Sequence, residues 1–151
     1  MRVGLISDTH GLMRPEALAA LQGVDQILHA GDIGGPEVLA ALARVAPVRA
    51  VRGNNDHGPW ADALPEQDVV ELAGERVLVL HDLKQLDRAA VSSGYAAIVT
   101  GHSHRPTIIE RDGVLFVNPG SAGPRRFSLP VAVGFLDLGS GPARARIQPI
   151  L

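Results

Sequence analysis

Apolar residues fall along this chain in short runs, and nearly every run stops abruptly at polar side chains. Runs this short suit buried strands of an α/β sheet better than helices. Val3, Leu5 and Ile6 form the first, ended by Ser7-Asp8-Thr9-His10. Pro15 to Leu21 reads as a helix, with proline in the first turn and Gly23 at the stop. Asp25 to His29 reads as a strand ending in Ala30-Gly31-Asp32, and Pro36 opens a helix through Arg44. Val48 to Val51 reads as a third strand, ending in Arg52-Gly53-Asn54-Asn55-Asp56-His57. Strand, helix, strand, helix, strand is the pattern of a doubly wound unit with parallel strands.

The second half reads differently. Val69–Leu72 and Val77–Leu80 flank Ala73-Gly74, a hairpin signal, and the second of these strands ends at His81-Asp82. Gln85 to Val91 is expected to be helical. Ala96–Val99 leads into Thr100-Gly101-His102-Ser103-His104. Thr107–Ile109 and Val114–Val117 flank Asp112-Gly113, and Val131–Leu138 and Ala143–Ile150 form a last hairpin around Gly139-Ser140-Gly141. Two sheets are expected, one mixed and one more antiparallel, packed face to face with helices outside.

In open α/β sheets ligands bind beyond the carboxyl ends of strands. Five such ends carry polar donors: Asp8 and His10, Asp32, Asn54, His81, and His102 with His104. Each has an ordinary structural explanation. Asp32 could cap a helix, Asn54 could supply a left-handed turn, and His81 could be a satisfied half-buried histidine. Together they make two clusters of oxygen and nitrogen ligands. Such a set suits two divalent ions bridged by an Asp, about 3.5–4 Å apart, as in hydrolases that activate water for in-line attack on phosphorus. Asp8 and His10 are two apart, and extended backbone would point both to one side. His29 reads as a packed strand residue.

Composition narrows the class. The 151 residues suit one domain spanning 1–151, and 46% hydrophobic with 20% charged residues marks a folded chain. A net charge of -2 gives no electrostatic pull toward nucleic acid or an anionic membrane, so nucleic acid is expected only as a substrate. With no cysteine there is no disulfide, thiolate metal site or thiol nucleophile. No apolar run reaches a membrane span, and the first strand begins too early for a signal peptide, so a cytoplasmic protein is expected. A homo-oligomer is compatible with this composition.

The ordered set Asp8-Thr9-His10, Gly31-Asp32, Gly53-Asn54-Asn55-Asp56, His81 and Gly101-His102-Ser103-His104 resembles the five motifs of the calcineurin-like metallophosphoesterases. Leu64-Pro65-Glu66, Asn118-Pro119-Gly120-Ser121 and Pro124-Arg125 resemble the small bacterial and archaeal phosphodiesterases of that superfamily. The resemblance implies a four-layer α/β sandwich of two mixed sheets flanked by helices, the metallo-dependent phosphatase fold. It implies one ion on Asp8, His10, Asp32 and His104, and a second on Asp32, Asn54, His81 and His102. Asp32 would bridge, and Asp32, Asn54 and His102 would stand closest to the chemistry. The expected activity is hydrolysis of a small phosphodiester through a hydroxide shared by the ions. A donor set without sulfur suits Mn²⁺ first, then Fe, Ni, Co or Zn.

Two departures stand out. Where the wider superfamily has a histidine thought to help the leaving group, this chain has Asn55, with His57 two residues on. Where glycine usually follows the motif His81, this chain has Asp82, read either as a solvated loop residue or as a modifier of the site. Arg125 and Arg126 could meet a substrate phosphate or simply cover surface. Three other readings compete. The glycines after Asp32 lack the spacing of a dinucleotide fingerprint, and Lys84-Gln85 cannot complete a P-loop. A phosphomonoesterase would use the same ligands. A non-catalytic interaction module, like the retromer subunit of this fold, would be expected to have lost donors; here all seven positions carry them.

Overall fold

The computed structural model describes the backbone of residues 1–151 and every side chain except those of Ala90, Ser92 and Ser93. Its first sheet contains β1 (Arg2–Ile6), β2 (Gln26–His29), β3 (Val48–Ala50), β9 (Ala132–Asp137) and β10 (Arg144–Pro149), in the order β10-β9-β1-β2-β3. The second contains β4 (Gln67–Leu72), β5 (Glu75–Leu80), β6 (Tyr95–Val99), β7 (Thr107–Arg111) and β8 (Val114–Asn118), in the order β4-β5-β6-β8-β7. The second sheet is not the more antiparallel one. Each sheet has three parallel strands: β1-β2-β3 in the first, running to one edge with β9 and β10 antiparallel on the other side, and β5-β6-β8 in the second, flanked at both edges by antiparallel β4 and β7.

Strand periodicity sorts the apolar side chains into layers. Val3 and Leu5 of β1 face Val77 and Val79 of β5, and Ala97 and Val99 of β6, in the core between the sheets. Ile6 and Ile27 point the other way, onto α1 (Pro15–Ala20) and α2 (Pro36–Ala43), where Ala17, Leu21, Val38 and Leu42 are buried. Leu78, Leu80 and Ile98 form a third cluster on the outer face of the second sheet, with Phe116, Leu86 and Val91 packed against it. The result is four layers. Truncating a fully buried leucine such as Leu5 to alanine would cost about 2–5 kcal/mol.

The segment expected to be a helix from Gln85 to Val91 forms two 3₁₀ turns instead, Leu83–Gln85 and Arg88–Ser93. Asp82 and Asp87 each accept from a backbone N–H two residues on, Lys84 and Ala89, and so begin a tight turn twice within six residues. Side chains of this kind compete with helix propagation. A one-turn helix, α3 (Pro59–Asp62), follows the third motif and was not anticipated. Among the described helices none is long and apolar enough to cross a membrane.

Candidate metal centre

All five donor-bearing strand ends meet at one edge of the two sheets. Two groups of ligand atoms form there: Asp8, His10 and His104, and Asp32, His81 and His102. Within the first, His104 Nε2 lies 3.4 Å from Asp8 Oδ1 and 3.4 Å from His10 Nε2. Within the second, His81 Nε2 lies 3.2 Å from Asp32 Oδ2, and His102 Nδ1 lies 3.2 Å from Asn54 Oδ1. Asp32 Oδ2 is also 3.8 Å from His10 Nε2, so it stands between the groups.

The backbone there is unusual. Asp8, His10, Asp32, His102 and His104 all have φ between 47° and 70°. Left-handed backbone at non-glycine residues costs energy and gathers at functional sites. It also replaces the extended geometry expected for Asp8 and His10: the two side chains converge through a left-handed bend. Asn54 lies in a turn but is not left-handed, so a need for left-handed backbone does not explain it.

Neighbours fix each donor. Ser7 Oγ donates to Asp8 Oδ2 at 2.7 Å and the His102 N–H donates to the same oxygen at 3.1 Å, which leaves Oδ1 turned inward. His81 Nδ1 lies 2.7 Å from the Ala30 carbonyl, so its proton sits there and Nε2 offers a lone pair. Asn55 donates to both oxygens of Asp32. Asp8 Oδ1, His81 Nε2 and His104 Nδ1 are buried with no hydrogen-bond partner among the described residues. Asp8 Oδ1 and His81 Nε2 both face the cluster, and orphaned lone pairs there are costly to leave alone and are what a divalent cation would satisfy.

The charges agree. Burial pushes the Asp8 carboxyl up, but the approach of His104, the hydrogen bond from Ser7 and the positive field of the histidines outweigh it, and its pKa falls below the ordinary value. Asp32 is lifted by burial and pulled down further by His81, the Asn55 N–H and His10, to about 2. His81 is lowered by burial and raised more strongly by Asp32, the Ala30 carbonyl and Asp8, ending above its usual value. Two carboxylates thus stay ionised among imidazoles, the charge state a cation needs.

Several supporting residues escaped the sequence reading. Buried Asp56 accepts from Gly53, Ile33 and Gly34 backbone N–H groups, tying the Asp32 loop to the Asn54 loop. Its place in the third motif was visible, but its job was not. Gly53 presses against Asp32 and Gly101 against Ser7 and Asp8, so closely that a β-carbon at either would collide with them. Asn118 Nδ2 donates to the Gly101 carbonyl and Ser103 Oγ, and Ser121 Oγ donates to the Asp8 carbonyl. The Asn118-Pro119-Gly120-Ser121 turn is therefore a brace between the loops of the first and last ligands.

His29 is fully buried and satisfied: Nδ1 accepts from Gly31 N–H, and Nε2 faces Thr9 Oγ1 at 3.0 Å. It is packed, as expected. Its pKa is lowered to about 4, chiefly by burial. His57 is exposed and makes no hydrogen bond or ion pair with the cluster. Arg125 and Arg126 are exposed on the loop that begins at Ser121 and make no hydrogen bond or ion pair with the donors. Asp82 does reach the site, with Oδ2 3.8 Å from His102 Nε2, while its Oδ1 begins the 3₁₀ turn.

The chain is 35% identical over 142 residues to a probable metallophosphoesterase of Methanothermobacter thermautotrophicus, covering 86% of this chain and 82% of that protein. It is 28% identical to a phosphodiesterase of Methanocaldococcus jannaschii, covering 91% and 93%. Among solved structures, an archaeal phosphodiesterase superposes with a TM-score of 0.81 at 24% identity, over 98% of this chain and 100% of that one. Vps29 of Chaetomium thermophilum superposes with a TM-score of 0.78 at 20% identity, over 98% and 96%, a likeness of fold alone. The sequence profile of the calcineurin-like phosphoesterase superfamily domain matches residues 1–141, and the chain belongs to that superfamily.

Proposed function

We propose that residues 1–151 act as a single-domain phosphodiesterase that works with two divalent ions, Mn²⁺ being the first candidate. The observation that carries this reading is the pair of orphaned, buried ligand atoms Asp8 Oδ1 and His81 Nε2, converging with His10, His104 and His102 on the ionised carboxylates of Asp8 and Asp32. Asp8, His10 and His104 with Asp32 would hold one ion, and Asp32, Asn54, His81 and His102 the other. Bound there, the ions would supply Lewis-acid charge and an acidified water.

The chain's own residues do the rest. Asp32, held at both oxygens by Asn55, is fixed between the two groups. Ser7 and the His102 N–H turn Asp8 inward, and Ala30 sets the His81 tautomer. In hydrolysis the bond from water oxygen to phosphorus forms as the ester bond to the departing oxygen breaks, and a proton reaches that oxygen. His102, the most exposed of the four histidines in the cluster, stands toward the incoming ester. The complete donor set argues against a non-catalytic interaction module, despite the fold shared with Vps29.

The test is metal stoichiometry together with turnover of bis(p-nitrophenyl) phosphate. Chelated protein should be inactive and Mn²⁺ should restore it, with two ions bound per chain. Asp32→Asn should damage both sites, His104→Ala mainly the first and His102→Ala mainly the second. Near wild-type turnover and binding in Asp32→Asn would overturn the bridging role.

A further inference from the structure

Beside the metal cluster a cavity of about 440 Å³ opens, walled by His102 itself and by Leu83, Ile109 and Phe116. A second hollow of about 270 Å³ shares Leu83, Ile109 and Phe116 with it, so the two form one groove across the outer face of the second sheet. This size is that of a site for an organic molecule, not a water channel. Lys84 and Arg88 line both parts, and neither side chain has an ion-pair or hydrogen-bond partner among the described residues. Leu83 and Ile109, 47% and 45% exposed, lie together along the groove.

We propose that this groove receives the organic arm of the phosphodiester and that Lys84 and Arg88 take a second phosphate carried on that arm. The matching substrate is a 5′-phosphorylated dinucleotide. The assignment rests on the phosphodiesterase reading of the metal cluster, and three observations point to it. The groove begins at His102, so a diester seated at the cluster must send one of its arms along it or into solvent. Its middle is apolar and includes the Phe116 ring with the Arg111 guanidinium 6.0 Å from its centroid, a pair that a planar base matches. Two unpaired cations stand where such an arm would run, and a guanidinium with an ammonium matches a phosphate dianion. Ser103 and Thr107 line the same cavity as His102; Ser103 Oγ accepts from Arg105 N–H and Asn118 and keeps its own proton to donate, and Thr107 Oγ1 donates to the Arg105 carbonyl and can still accept, which suits a ribose better than an acyl chain. Asp82 also lies at that mouth, beside His102, and would repel a second phosphate placed close to the metals. That disfavours the mouth and leaves the anion to the far hollow, where Lys84 and Arg88 are joined by Arg111 against one carboxylate, Asp112.

The experiment uses the Mn²⁺-loaded protein with a dinucleotide bearing or lacking the 5′-phosphate. The phosphate should raise kcat/KM by about tenfold or more, the weight of one charge-assisted contact. Lys84→Ala/Arg88→Ala should erase that ratio, and Arg44→Ala, at the residue that follows α2 in the opposite outer layer, should keep it. Alongside, binding of thymidine 3′,5′-bisphosphate is measured by calorimetry with and without Mn²⁺. The double variant should bind it about tenfold more weakly in both conditions. A ratio near one in wild type, or a ratio and affinity that survive the double variant, overturns the proposal. A glycerophosphodiester hydrolysed faster than the dinucleotide overturns the nucleotide assignment. If no diester is turned over yet the bisphosphate binds through Lys84 and Arg88, the phosphodiesterase reading fails and the groove stands.

Discussion

Asn55 holds Asp32 at both oxygens: its backbone N–H donates to Oδ1 at 2.8 Å and its side-chain Nδ2 donates to Oδ2 at 3.1 Å. The residue that departs from the superfamily pattern is thus a clamp on the carboxylate between the two donor groups. Outer contacts of this kind commonly matter about 10–100-fold in metal affinity or activity. Asn55→Ala keeps the backbone bond and loses the amide. It should therefore bind Mn²⁺ about tenfold more weakly, measured by titration calorimetry, with an unchanged fold by circular dichroism.

The same residue bears on substrate choice. An amide cannot protonate a departing alkoxide, and monoesters, which react through a loose transition state, should suffer most from a missing acid. General acid catalysis is worth about 10²–10⁴-fold. Wild type should prefer bis(p-nitrophenyl) phosphate to p-nitrophenyl phosphate, and Asn55→His should shift the ratio toward the monoester. His57→Ala should leave the ratio unchanged, because His57 is exposed and makes no hydrogen bond or ion pair with the cluster. A ratio unmoved by Asn55→His would show that this position does not govern the preference.

Metal affinity should rise with pH. In the metal-free protein His81 is raised by Asp32 and Ala30 despite its burial, so its bound proton stabilises the fold below the ordinary histidine pKa and that contribution is lost as pH rises through the raised value. A metal must displace that proton. The increase in melting temperature produced by a fixed Mn²⁺ concentration should grow from pH 5.5 to pH 8. An increase that is the same across this range would contradict proton–metal competition at His81. Asp32, lowered to about 2, stays ionised throughout and contributes no slope there.

His29 works in the opposite sense. Burial lowers its pKa to about 4, so between that value and about 6.5 the unfolded chain binds a proton that the folded one refuses. Its contribution to stability is therefore present above that window and lost as pH falls through it. His29→Leu should remove this loss from the acid limb of a urea denaturation series. It should also cost about 1–3 kcal/mol for each of the partners it abandons, Thr9 and Gly31.

Short-range pattern was enough to place the strands and to find the donors. A strand that ends on a polar residue is a local event, written in a few adjacent side chains, and Asp8, Asp32, His81 and His104 could be read that way. The capping of two 3₁₀ turns by Asp82 and Asp87 was also local, yet the apolar residues around them read as a helix, because spacing outweighs a cap on paper and not in the molecule. What no local pattern carries is which donors meet. Asp8 and His104 stand 3.4 Å apart because β1 and the strand before His104 lie in different sheets whose ends coincide. The left-handed backbone at five donors, the Asp56 tie between loops and the Asn118–Ser121 brace arise from contacts between residues distant in sequence. The sequence by itself determined the elements and the chemical inventory. Only the tertiary structure decided the pairing, because sheet order and the packing of two faces set distances that spacing along the chain does not encode.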